Sequence, residues 1–296
     1  MIIDLIHRFL NRNNKSRNVA LVLGGGGARG IAHIGAIEVL EEHGYNITSI
    51  AGTSMGALVG GFYTAGKLKE LKEMLFHLGK KDFLNLMDLS IGLDHIASGD
   101  NLMKLLDGII GDISIESLPV NFCCCATDIV SGNEKVFRAG PLKDAIRASI
   151  SIPCVLKPVE TDNHIYVDGS IHNTLPLDRV TRNNGDLLVA VNVSGPDCKP
   201  FSPYLKSKQN RNKVAKSFFE HLPFSKYALS KNYMSMTMRI CSISVQNNAL
   251  NALRLTPPDI YAEVPMDMFN LLDFQKGMEI YLYGREMMEN ALKDKN

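Results

Sequence analysis

The sequence predicts an α/β protein built on a mostly parallel central sheet. Two observations carry that expectation. Short, continuous apolar runs end in glycine or turn residues, as strands buried on both faces do. Helical patterns then follow them, the order that makes right-handed βαβ units. Val19–Leu23 is the first such run, and Ile31, Ile34, Ile37 and Leu40 mark one face of the helix after it. Glu38, Glu41 and Glu42 lie elsewhere on that helix, which Gly44 is placed to close. Ile47–Ala51 reads as the next strand and Ala57–Ala65 as the next helix. Further on, Leu102–Ile110 is helical, and Val120–Ala126 and Glu134–Arg138 are strands. A helix then opens with Pro141 in its first turn, where proline costs least. His164–Val167 and Leu187–Val193 complete the expected strands.

From Pro196 onward the chain turns polar and basic. Met234, Met236 and Met238 alternate with period two in helical surroundings, which leaves the secondary structure open. Leu272–Leu292 is expected as a closing helix. The predicted organisation is an amphipathic extension over residues 1–17 and one domain over 18–296. Within it, 196–255 forms a basic cap or lid-like region.

Composition excludes several classes. With 296 residues, 45% hydrophobic and 21% charged, the chain is neither disordered nor a disulfide-stapled miniprotein. A net charge of +1 argues against nucleic acid as the main partner. Three of the six cysteines are consecutive (Cys123, Cys124, Cys125), with no CxxC pair or zinc spacing anywhere. They read as reduced thiols in a buried strand, hence a cytoplasmic protein. No metal or other cofactor is expected. Two segments imitate membrane signals. Met1–Asn11 is interrupted by Asp4 and lacks a cleavage site, and fits a short amphipathic helix that either packs on the domain or lies on a membrane surface. Gly44–Gly66 is uncharged, but its six glycines and its sharp-turn motif make it a poor span.

The chemistry-bearing signals sit at two strand ends. Gly24-Gly25-Gly26-Gly27-Ala28-Arg29-Gly30 lies between a strand and a helix, where backbone N–H groups gather at a helix start. Gly25-x-Gly27-x-x-Gly30 formally matches a dinucleotide fingerprint, but Ser49–Ser54 supplies no acid for a ribose. No Gly-Lys-Ser/Thr follows, so a P-loop fails as well. At that place stands Gly52-Thr53-Ser54-Met55-Gly56 instead, a G-x-S-x-G between strand and helix, the form of a nucleophile elbow after an early strand. Parallel neighbouring strands bring the glycine loop and this turn to one sheet edge, where the loop's N–H groups are placed to hold an oxyanion. No histidine after Ser54 stands in a diagnostic setting. Tyr166-Val167-Asp168-Gly169-Ser170 puts an acid at a strand end, a catalytic position as well as an ordinary Asp-Gly turn.

Together these blocks resemble the patatin-like phospholipases, in particular the bacterial lysophospholipase-type branch. The resemblance runs from Val19 to Val193, through the glycine loop, the Ser54 pentapeptide and Asp168-Gly169-Ser170. Arg147–Pro153, Lys157-Pro158, Asn173 and Pro176 also match family segments. It implies a three-layer patatin-like α/β fold and a Ser–Asp dyad, with Ser54 as nucleophile and Asp168 as its activator. The N–H groups of Gly25, Gly26 and Gly27 would form the oxyanion hole. Arg29 would fix the loop, add positive charge, or lie exposed. Ser170 departs from the family's usual Gly or Ala but is small enough to keep the turn. The implied activity is serine acyl hydrolysis of phospholipids or lysophospholipids through an acyl-enzyme, without a cofactor. A nucleotide-binding protein and a non-catalytic lipid-binding protein are the alternatives.

The net charge of +1 conceals an asymmetry. Residues 199–239 hold nine Lys+Arg and one acid, Glu220, so this segment is +8 and the remainder −7. It is either a solvated face or a contact for anionic membrane, with Phe218, Phe219, Leu222 and Phe224 for apolar insertion. The second reading places the protein peripherally at the inner membrane surface.

Overall fold

β1 (Asn18–Leu23) lies inside the sheet because everything after Asn18 in it is apolar and fully buried. Val19, Leu21 and Leu23 face one side and Ala20 and Val22 the other, so both faces of the sheet must be covered. The computed structural model describes residues 17–79, 85–86, 97–153, 155–198 and 231–295. Residues 1–16, nearly all of the expected amphipathic extension, fall outside them. So does the stretch 199–230, with most of the basic segment and its four apolar residues.

The remaining strands are β2 (Asn46–Thr53), β3 (Asn121–Asp128), β4 (Asn133–Phe137), β5 (Val159–Glu160), β6 (Ile165–Asp168), β7 (Leu187–Gly195) and β8 (Ile260–Pro265). The order is β5-β6-β3-β2-β1-β7-β8, with β4 also on β3. From β3 to β8 every pairing is parallel, and β4, β5 and β6 add antiparallel pairs at one side. This is the mostly parallel sheet the sequence predicts. β8 was not among the expected strands; it extends the sheet past β7, its burial alternates, and it ends on Pro265.

The pairing of β3 is the feature that builds the site. β2 pairs with Asn121–Cys125 of β3, and β4 with Cys124–Asp128. These spans overlap, so β2 and β4 occupy opposite edges of β3. β6 pairs with Ala126–Asp128, also overlapping β4, and therefore shares the β2 edge. Because β2 is parallel and β6 antiparallel to β3, their carboxyl ends meet head-on. Thr53 sits opposite Cys125, and Asp168 opposite the next residue, Ala126.

The helices are α1 (Ala32–Glu42), α2 (Met55–Thr64), α3 (Leu68–His77), α4 (Asp100–Ile110), α5 (Leu142–Ser149), α6 (Lys231–Leu255) and α7 (Gly277–Lys295). α3 was not anticipated; Leu71 and Leu75 are its buried residues. The larger core joins β1, α1, α2, α4, α5 and α7. A smaller one on the opposite face joins Ala20, Val22, Leu188 and Ala190 to Leu175, Leu177 and Ala249 of α6. The result is a three-layer arrangement. α6 settles the methionine ambiguity in favour of helix, and Ala249 makes its second half part of a sheet-covering layer instead of a detached lid. Arg239, one of the nine basic residues, pairs with Asp197 at 2.5 Å.

α1 is buried on more than the one apolar face its sequence shows. α7 covers it, and Glu38 in the contact is paired by Lys72 (2.8 Å) and the Tyr281 hydroxyl (2.5 Å). α7 begins five residues later than expected, after a turn in which the Asp273 carboxylate accepts from Asn270 N (3.1 Å) and Nδ2 (3.0 Å). Cys123, Cys124 and Cys125 are buried free thiols, as predicted, and burial raises all three pKa values, Cys123 to about 11. Cys198 and Cys241 are free but exposed, on a loop and on α6.

The α1–α7 contact requires Gly284, where a β-carbon would stand 2.2 Å from the Ala32 carbonyl oxygen. Gly284→Ala is expected to destabilise the fold by about 1–3 kcal/mol through overpacking. A lowered urea midpoint with an unchanged slope would report it; an unchanged midpoint would contradict the contact.

Candidate active site

Ser54 occupies the tight turn between β2 and α2 with φ 55° and ψ −122°, and it is the sole non-glycine residue with positive φ among the described residues. Such a conformation costs on the order of 1–3 kcal/mol and persists only where the surroundings impose it. The Ser54 N–H donates to Ser149 Oγ at 2.9 Å, and that hydroxyl donates to the Cys125 carbonyl at 2.7 Å. The Ser54 turn is thereby fastened to β3.

The head-on ends of β2 and β6 bring Ser54 and Asp168 together. Ser54 Oγ donates to Asp168 Oδ2 at 2.5 Å, with both residues buried. The other carboxylate oxygen, Oδ1, accepts from Ser170 N at 2.8 Å, and Asp168 N donates to the Ser151 carbonyl at 2.9 Å. Burial pushes the Asp168 carboxyl above the usual carboxylate range, and hydrogen bonds from Ser54 and Ser170 pull against that rise. A carboxylate so raised is a stronger proton acceptor than an exposed one.

The stretch Arg147–Pro153 supports both partners. Ser149 holds the Ser54 amide and Ser151 the Asp168 amide, while buried Arg147 fixes the segment itself. Its guanidinium donates to Ser151 Oγ (2.6 Å), the Ser98 carbonyl (3.0 Å) and the Lys157 carbonyl (2.8 Å). Thr53 Oγ1, just before Ser54, donates to the Asn173 carbonyl at 2.8 Å. Sequence inspection gave Ser149 and Ser151 no role, because a lone serine in a helix end carries no local signal.

The glycine loop lies against this pair. A β-carbon at Gly25 would stand 3.2 Å from Ser54 Cβ and 2.1 Å from Ser170 Oγ, so a side chain there would displace the Ser170 hydroxyl and press on Ser54. The three amides expected to act alike do not. Gly25 N–H is taken by the Thr174 carbonyl at 3.0 Å, which removes it from the anticipated donor set. The N–H groups of Gly26 and Gly27 have no acceptor among the described residues. Arg29 is buried, not exposed: its Nε donates to the Val193 carbonyl (2.7 Å) and Nη1 to the Phe269 carbonyl (3.0 Å). Desolvation lowers its pKa to about 10, offset in part by Asp197 and Asp273, so it stays charged at neutral pH. Of the roles open to it, the structure places it as the clamp that fixes the loop to the ends of β7 and β8. His33 is fully buried with Nε2 2.8 Å from the Gly24 carbonyl oxygen, and burial lowers its pKa to about 4. It is neutral and braces the loop from below.

The patatin-like phospholipase family model matches residues 21–181, which contain the glycine loop, Ser54, Arg147–Pro153 and Asp168. The chain belongs to that family. An uncharacterized NTE family protein of Mycobacterium tuberculosis is 43% identical over 189 residues, covering 64% of this chain and 52% of the relative. The protein named lysophospholipase NTE1 of Kluyveromyces lactis is 30% identical over 299 residues, covering 97% of this chain and 20% of its own length. The chain thus spans about half the mycobacterial relative and a fifth of the fungal one. The solved structure of VipD from Legionella pneumophila superposes with a TM-score of 0.48 at 15% identity, over 95% of this chain and 67% of that one. Among the described residues, no helix is long and apolar enough to cross a membrane.

Asp168 binds its proton more tightly in the folded than in the unfolded chain. Stability therefore falls as pH rises from the ordinary carboxylate range through the raised value, and stays reduced above it. Asp168→Asn removes this penalty. Its melting temperature is expected to exceed that of the wild type at pH 8, with the gap closing below about pH 4. A lower melting temperature at pH 8 would contradict a burdened carboxylate.

Proposed function

We propose that this chain is a serine acyl hydrolase that cleaves carboxylic esters of phospholipids or lysophospholipids through a Ser54–Asp168 dyad. The observation that carries the proposal is the 2.5 Å bond from Ser54 Oγ to a buried carboxylate, beside a loop with two unclaimed amides. Ser54 Oγ attacks the ester carbonyl carbon while Asp168 Oδ2 takes its proton. The carbonyl oxygen gains charge beside the glycine loop, where the N–H groups of Gly26 and Gly27 are the donors assigned to it. Collapse expels the alcohol, which recovers the proton from Asp168. Water then attacks the Ser54 acyl ester by the same route in reverse, releasing the fatty acid. The donor loop needs no reorganisation, since Arg29 and His33 already hold it. Lipid esters are the substrate class on two grounds: the family, and the name of the fungal relative.

A fluorophosphonate probe should label the wild type and leave Ser54→Ala unlabelled. Asp168→Asn should hydrolyse lysophosphatidylcholine about 10²–10⁴-fold more slowly, the usual worth of a positioned base. Persistent labelling of Ser54→Ala, or full activity in Asp168→Asn, would overturn the dyad. A parallel screen of phospholipid, lysophospholipid and triacylglycerol assigns the substrate.

The basic segment 199–239 supports peripheral contact with an anionic lipid surface, because it concentrates +8 in a chain of net charge +1. Each basic residue near such a surface adds about 1 kcal/mol. Binding to phosphatidylserine vesicles should weaken steeply between low and physiological salt. Salt-insensitive binding, or none, would refute the contact.

A further inference from the structure

The amide of Gly25 is bonded to the Thr174 carbonyl, so the position of the glycine loop depends on what holds Thr174. Thr174 is fully buried, and its own N–H donates to Asn248 Oδ1 on α6 at 2.9 Å. The Asn248 amide group also donates, through Nδ2, to the His172 carbonyl. One side chain therefore grips the backbone on both sides of Asn173, pairing with it much as a neighbouring strand would. The Asn173 carbonyl between these two grips accepts from Thr53 Oγ1, next to the nucleophile. Thr174 Oγ1 adds bonds to the Ser170 carbonyl (2.9 Å) and, on α6, to the Val245 carbonyl (3.3 Å). The three residues 172–174 thus touch the glycine loop, the residue before Ser54, and the turn that carries Asp168. Their backbone is fastened from outside by a single asparagine on a different layer of the fold.

We propose that Asn248 is a positioning residue for the acyl-transfer site, acting through Thr174 on the glycine loop that receives the oxyanion. The proposal rests on the acyl-hydrolase reading above. Asn248 touches no reacting atom. Its bidentate amide fixes the Thr174 carbonyl, that carbonyl fixes the Gly25 amide, and the neighbouring Gly26 and Gly27 amides are held in register with Ser54 as a consequence. Since α6 directly follows residues 199–230, the same contact ties the chain that leaves the basic segment to the catalytic loop. Displacement of reacting groups by about 1 Å costs on the order of 10²-fold in rate. Looser binding of Thr174 therefore acts on turnover, not on affinity for the lipid.

The test compares Asn248→Ala and Asn248→Asp in the full chain with Asn247→Ala, an exposed neighbour on α6. Asn248→Asp keeps the acceptor for Thr174 N and loses the donor to His172. Both Asn248 variants should lower kcat for lysophosphatidylcholine by about 10- to 100-fold with KM nearly unchanged. Both should also slow fluorophosphonate labelling of Ser54, while Asn247→Ala matches the wild type. Amide hydrogen exchange should rise in peptides covering 24–30 and 169–175 and stay unchanged in β1 and β2, a readout that needs no substrate. Wild-type kcat in Asn248→Ala, a rise in KM alone, or exchange raised evenly across the sheet would overturn the proposal. If instead the wild type neither hydrolyses lipid nor reacts with the probe at Ser54, the acyl-hydrolase reading itself fails, whatever the exchange data show.

Discussion

Two strands that point at each other along one edge of β3 are the constraint on which the site depends. A parallel strand and an antiparallel strand can share an edge only end to end, and here the ends are Thr53 and Asp168. Ser54 and Asp168 are 114 residues apart in the chain, yet consecutive β3 residues set their separation. Most of the surrounding hydrogen bonds follow from that meeting. Ser149 and Ser151 lie in the stretch just after α5 begins to break, within reach of both strand ends, and Arg147 stops that stretch from moving. A single backbone geometry thus fixes the Ser54–Asp168 contact, and side chains hold that geometry from outside.

The site is expensive in stability, and the surroundings show where compensation comes from. Ser54 carries a backbone conformation that other residues avoid, and Asp168 a charge that burial disfavours. Arg29 is a third buried ionisable group, but it is satisfied: two carbonyls accept from it at 3.0 Å or less and two carboxylates lie near. His33 removes the problem differently, by staying neutral. Strain is therefore concentrated in Ser54 and Asp168, although His33 also keeps a buried Nδ1 without a hydrogen-bond partner among the described residues. That concentration is the expected signature of a preorganised site.

Much of this was legible in the sequence, for identifiable reasons. β1, β2, β3 and β7 are continuous apolar runs, and burial on both faces leaves such runs no other use. Ser54 stood out because a strand, a turn and a helix surround it, and the glycine loop because four glycines in succession have few structural uses. Asp168 did not stand out from local sequence, since an Asp-Gly turn looks the same whether or not a serine approaches from across the sheet; the family resemblance placed it. The differences between Gly25, Gly26 and Gly27 were equally invisible, because they depend on Thr174, some 150 residues away in the chain. β8 and α3 were missed although both carry a periodic signal: the burial of β8 alternates, and α3 spaces Leu68, Leu71 and Leu75 along one helical face. Arg29 read as ambiguous because a charged residue in a glycine loop gives no hint that the Val193 and Phe269 carbonyls, far along the chain, converge on it.

The union of α1 with α7 has a bearing on how the chain reaches this structure. α1 ends at Glu42 and α7 begins at Gly277, so the second layer over α1 is supplied by the last helix in the described chain. At a synthesis rate of about 5–20 residues per second, α1 waits on the order of ten seconds or more for its cover. Throughout that interval Gly35, the Ala32 carbonyl and the carboxylate of Glu38 face solvent or a substitute partner. The glycine loop begins eight residues before α1, so it is among the first of the described segments to be made. Nascent chains of this protein therefore expose the α7-facing side of α1 until that helix docks, a delay written into the order of its elements.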